Sequence, residues 1–175
     1  MNEKPNSPAS KSGVKEFVIS RTYDVPRDFM FKLWTEPQHM QRWWGPKGVT
    51  VIHSQMDLRP GGIYHYGMKT SDGHEMWGIF VFREIVKTER LVFVNSFSDK
   101  KGGITRHPMS PTWPLEMLST IIFTEQSGKT TVTVSWLPLN PTGEERQTFE
   151  GGFESMQKGW GGTFDRLGEY LSKAK

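Results

Sequence analysis

The last fifth of the chain constrains the fold most. Phe149, Phe153, Met156, Trp160, Phe164, Leu167 and Leu171 recur every three or four residues, which places all seven on one face of an α-helix. Pro141, Thr142 and Glu145 precede the stripe in the pattern by which a hydroxyl and a carboxylate reciprocally cap the first turn. The spacing therefore predicts one long amphipathic helix of about thirty residues, some 45 Å at 1.5 Å per residue. A helix of that length needs an extended apolar surface to lie on.

The preceding sequence supplies a sheet. Phe17, Ile19 and Tyr23 alternate within residues 14 to 25 and predict a first strand with one buried face. Pro26 opens a short helix carrying Phe29, Met30, Leu33 and Trp34, and residues 38 to 44 form a second with Met40, Trp43 and Trp44, stopped by Gly45-Pro46. Strands follow at 48–57, 62–70, 75–86 and 90–97, then at 115–125 and 130–138, separated by short Gly-, Asp- and Ser-containing turns that imply antiparallel neighbours. The predicted architecture is α+β: a curved seven-stranded antiparallel sheet wrapped round a long C-terminal helix, with two short helices after the first strand, in a single domain over residues 14–175. Residues 1–13 are polar, rich in Ser, Pro and Lys, and read as a disordered leader.

Composition narrows the function. Without cysteine the chain has no disulfide, thiolate metal site or cysteine nucleophile. No run of about 18 apolar residues occurs, so no membrane span is expected and a cytoplasmic location is. The formal charge of +3 comes from 22 basic residues scattered among 19 acidic ones, a mixed surface rather than a nucleic-acid footprint. His39, His53, His65, His74 and His107 show no short ligand spacing, so no metal and no cofactor is expected. His53 and His65 lie on different strands that the sheet can bring together. Asp57, Glu75, Glu84 and Glu116 are available carboxylates, but none sits in a motif that gives it a catalytic role, and Asp57 is placed to pair with Arg59.

Seven Trp and eleven Phe exceed what a surface carries, so they build a core or surround a ligand. Tyr64, Tyr66 and Met68 share a face of one strand, as do Leu115, Met117, Ser119, Ile121 and Phe123 on another, and both faces should look toward the helix. Together with Phe153, Met156 and Trp160 opposite, they describe either a filled core or a pocket of aromatic and Met side chains. The candidate ligand-binding set is Met40, Trp43, Tyr64, Tyr66, Met68, Phe93, Asn95, Met109, Trp113, Met117, Ile121, Phe153, Met156 and Trp160. The glycines of the helical segment have three readings: close packing at Gly152, Gly159, Gly161 and Gly168, room for a ligand there, or a kink at Gly161-Gly162. The connection from Ser98 to Pro114 begins with a polar, Gly-containing hinge and ends in a proline-stiffened run bearing Met109 and Trp113. It is either a lid over the cavity or an ordered loop whose Trp113 caps the core.

Trp43-Trp44-Gly45-Pro46, Asp57-Leu58-Arg59-Pro60-Gly61-Gly62, Glu89-Arg90-Leu91-Val92-Phe93 and Gly159-Trp160 with Leu167 stand in an order and spacing that resemble the activator of heat-shock ATPase homologue family, within the helix-grip (START-like) superfamily. The resemblance covers residues 14 to 173. It implies a sheet gripping the last helix, with a cavity that relatives use for lipids, sterols, polyketides or plant hormones. It does not imply one activity; the aromatic and Met residues on both sides of the inferred cavity favour binding of a small hydrophobic molecule without catalysis. Contact with a chaperone of the ninety-kilodalton heat-shock class, and a polyketide-cyclase-like activity, are the alternatives.

Overall fold

The computed structural model describes residues 13–174, so the expected leader lies almost wholly outside the described residues. Strand β1 (Phe17–Tyr23) leads into helices α1 (Arg27–Thr35) and α2 (Pro37–Trp43). β2 (Val49–Met56), β3 (Ile63–Thr70), β4 (Glu75–Val86) and β5 (Arg90–Ser98) follow, then the two-residue β6 (Ile104–Thr105), β7 (Met117–Gln126) and β8 (Lys129–Pro138). The chain closes with α3 (Gly143–Gly151) and α4 (Phe153–Ala174). The main sheet runs β1-β8-β7-β5-β4-β3-β2, all antiparallel, and β6 pairs with β5 off this path. The seven-stranded helix-grip architecture expected from the sequence is the one observed.

Alternation decides which side chains face the helix. On β7, Met117, Ser119, Ile121 and Phe123 are buried while the intervening residues are more open; Val132 and Val134 do the same on β8, as do Leu91 and Phe93 on β5. Against them α4 presents Met156, Trp160, Phe164, Leu167 and Leu171. Burying a residue of this size contributes roughly 1.5–3 kcal/mol, so this helix-to-sheet contact is a substantial part of the core. Two irregularities, between Val51 and His53 and between Phe82 and Glu84, shift the register and bend the strands that carry them.

The C-terminal helix departs from expectation. It is two helices, broken at Gly152, where the Gly152 N–H reaches back only to the Phe149 carbonyl (3.0 Å). α4 alone has 22 residues, about 33 Å. No kink forms at Gly161-Gly162, which lie within continuous helix. The capping box is present: Thr142 Oγ1 accepts from the Glu145 N–H (3.1 Å) and Glu145 Oε1 from the Thr142 N–H (3.0 Å).

Candidate functional site

A cavity of about 560 Å³ lies between the concave face of the sheet and α4. Its floor is Tyr66, Phe80, Phe93, Asn95, Phe97, Met117 and Trp136. Met156, Gly159 and Trp160 of α4 form one wall, and Trp44 with Pro46 forms another. The segment after β6 roofs it through His107, Ser110, Trp113 and Pro114, joined by Thr148 and Gly152 at the α3–α4 break. Ser155 both lines the cavity and is exposed, so the space meets solvent near the start of α4.

The aromatic rings of the lining pack against one another. Phe80 stacks on Phe93 at 4.0 Å, Tyr66 stands edge-on to Phe80 at 5.6 Å, and Trp44 is edge-on to Trp160 at 5.6 Å. Trp136 meets Trp160 edge-on on its other side at 5.6 Å. The indole nitrogens of Trp34, Trp44 and Trp160 are buried with no hydrogen-bond partner of good geometry among the described residues. Trp44 is aimed by the turn that follows it. Gly45 has φ of 96°, and any Cβ there would collide with Met68 and Val49, so only glycine fits. Arg166 of α4 then donates from Nη1 to the carbonyls of Trp44, Gly45 and Pro46 at 2.9, 3.2 and 3.1 Å, fastening this wall to the helix.

Of the candidate set, Tyr66, Phe93, Asn95, Trp113, Met117, Met156 and Trp160 line the cavity. Met40, Trp43, Tyr64, Met68 and Ile121 are instead packed core: Trp43 donates its indole N–H to the Leu33 carbonyl (3.0 Å), and the Tyr64 hydroxyl meets Ser54 Oγ at 3.0 Å. Phe153 turns toward Phe17 and Phe149, at 5.6 and 5.3 Å. Met109 is 88% exposed and does not line the cavity. Sequence reasoning missed Trp44, Phe80, Phe97, His107 and Trp136. Trp136 continues the inward alternation of Val132 and Val134, a signal that was present; nothing in the sequence marks His107.

The connection from 98 to 114 is ordered in a way its composition hides. Asp99 Oδ1 accepts from the N–H groups of Lys101 (2.8 Å) and Gly103 (2.9 Å), so the expected hinge is a closed β5–β6 turn. The roof is tied to α3 by Arg106 Nη1 on Glu145 Oε2 (3.1 Å) and by Thr148 Oγ1 on Thr112 Oγ1 (2.8 Å). Glu145 thus caps α3 with one oxygen and holds the roof with the other.

The glycines divide. A Cβ at Gly152 or Gly168 would stand 3.5 Å from Trp113 or Tyr23, whereas one at Gly159 or Gly161 would meet nothing within 4 Å, so close packing does not account for the latter two. Gly159 lines the cavity and leaves it wider.

Among the described residues no Asp, Glu, Lys or Arg lines the cavity. Of the titratable side chains there, burial pushes the Tyr66 phenol up to about 12 and lowers the His107 imidazole, so both are neutral near pH 7. Asp57 pairs with Arg59 (2.7 Å) and Glu84 with Arg90, both on the surface. His53 and His65 do meet, with ring centroids 5.0 Å apart beside Trp77, but His65 Nε2 contacts the Asp99 carbonyl (3.1 Å). Among the described residues no group of three or more His, Asp or Glu gathers in metal-binding geometry, and no helix is long and apolar enough to cross a membrane.

The family described as Activator of Hsp90 ATPase homolog 1-like protein matches residues 24–172, all but the ends of the chain. The chain belongs to this family. Among solved structures, a Nitrosomonas europaea protein is 25% identical, with a TM-score of 0.70 over 91% of this chain and 95% of that one. An Arthrobacter aurescens protein is 21% identical (TM-score 0.72; 92% and 88% covered), and the AHSA1 protein from Silicibacter pomeroyi 16% (0.69; 92% and 100%). The last two show the shared fold alone. A search of curated proteins returns no match.

Proposed function

We propose that this member of the Activator of Hsp90 ATPase homolog 1-like family binds a small hydrophobic molecule in the cavity between sheet and α4, without transforming it. The observation that carries the reading is a cavity of about 560 Å³ walled by packed aromatic rings, with no charged side chain among the described residues lining it. Its size and its few polar groups among apolar ones are those of small-molecule sites. Acid-base chemistry needs a titratable group poised near working pH, and Tyr66 is far from that. A cyclase-like reaction would have to rest on His107, Tyr66 and Asn95 alone. Contact with an Hsp90-class chaperone is carried by the family's description and is tested by adding the protein to the chaperone of the same host and reading ATP hydrolysis.

Native mass spectrometry of protein purified from its own host, with a thermal-shift screen of hydrophobic ligands, tests the proposal. A co-purified small molecule or a ligand-dependent rise in melting temperature is expected. An empty protein that no ligand shifts overturns it.

A further inference from the structure

We propose that the cavity selects a neutral aromatic molecule bearing an acceptor oxygen, such as an aryl ketone or quinone, received by Asn95 Nδ2 and His107 Nε2. The inference rests on the cavity being a ligand site and adds what that ligand must carry.

The hydrogen bonds already made inside the protein decide the polarity of both groups. Asn95 Oδ1 accepts the hydroxyl of Ser119, which is fully buried, so the amide of Asn95 keeps its NH2 for donation. His107 Nδ1 accepts the Met109 N–H at 3.0 Å, which fixes the neutral ring's proton on Nε2. Neither Asn95 Nδ2 nor His107 Nε2 has an acceptor among the described residues, and neither is among the buried polar atoms sealed off without a partner. Asn95 and Phe97 lie two residues apart on the same face of β5, and the His107 ring packs on Phe97 at 4.6 Å. The two donors thus flank one aromatic ring on the cavity lining.

Three ligand classes separate on this arrangement. A hydrocarbon leaves both donors unsatisfied and loses what their desolvation costs. A carboxylate enters a site with no cation to meet it, and losing its hydration is costlier still. A neutral carbonyl pairs with a donor while its rings lie against Phe80, Phe93 and Trp136, in the offset or edge-on contacts that aromatic pairs favour.

Isothermal titration calorimetry with 2-acetylnaphthalene, its carbon isostere 2-isopropenylnaphthalene, and 2-naphthoate tests this. The ketone is expected to bind at least fivefold tighter than either of the others. Asn95→Asp keeps the acceptor for Ser119 but removes the donor; it should at least halve the ketone's preference over the isostere, and a cooperative thermal melt of the variant reports an intact fold. Equal binding of ketone and isostere, tightest binding of naphthoate, or a preference that Asn95→Asp leaves whole overturns the donor assignment while the cavity reading stands. If no naphthalene binds at all, this inference falls, and the thermal-shift screen decides the cavity reading separately.

Discussion

Tyr66 lies across Gly78, its antiparallel partner on β4, so closely that a Cβ on residue 78 would overlap the phenol. The next pair repeats the arrangement on the opposite face, where Trp77 covers Gly67 and a Cβ there would stand 2.8 Å from the indole. Each aromatic needs a glycine beneath it, and the inner of the two forms part of the cavity floor. Gly78→Ala should therefore displace Tyr66 and destabilise the protein by about 1–3 kcal/mol, as overpacking does. Chemical denaturation measures it; a change below about 0.5 kcal/mol would show that the ring moves aside freely.

Gly159→Ala should have the opposite sign. The new methyl meets nothing within 4 Å, the backbone is ordinary helix, and replacing a helical glycine with alanine contributes roughly 0.5–1 kcal/mol. Gly159→Leu should then lower affinity for any identified ligand while the fold persists, because the side chain occupies the cavity. Ligand titration and thermal melts on both variants separate the two effects.

Trp113 lines the cavity and stands 6.1 Å from Phe149, yet it is only half-buried. Trp113→Ala is expected to weaken ligand binding at least tenfold while lowering unfolding free energy by less than about 2 kcal/mol. Comparable losses in both would make it ordinary core.

Glu145 gives the roof a pH dependence. The Thr142 N–H holds its carboxyl below the usual carboxylate range, and Arg106 adds to the effect. A depressed folded pKa contributes stability that is present above the unfolded value and lost as pH falls through the folded one. Wild type should melt above Glu145→Gln at pH 7, with the gap closing as the pH drops below about 4.5. A gap that stays constant into acid would show that the carboxylate's charge plays no part.

The strands and the order of elements were legible because period-two burial and short turns leave a direct trace in sequence. The break at Gly152 was not, because Phe149, Phe153 and Met156 keep helical spacing across it. Trp43 and Trp44 show a sharper limit. Trp43 ends α2 and is sealed in the core, while Trp44, one residue on, turns extended (φ −64°, ψ 139°) and faces the cavity. Neighbouring identical residues trade core for lining through a single backbone rotation, which composition does not record. The Ser98–Gly103 stretch misleads in the other direction: polar, Gly-containing sequence suggests a hinge, but Asp99 closes the turn by accepting two backbone N–H groups.

Arg166 reaches from α4 to three consecutive carbonyls beyond α2, so the helix wall and the Trp44–Pro46 wall shift as one body. The cavity cannot widen by parting those two surfaces without stripping a guanidinium of its partners. The roof is held more lightly, by one ion pair and one hydroxyl contact to α3. Parting the two walls would break three hydrogen bonds of a guanidinium, whereas lifting the roof from α3 would break two side-chain contacts, so a ligand bound as proposed would meet the lesser resistance at the roof.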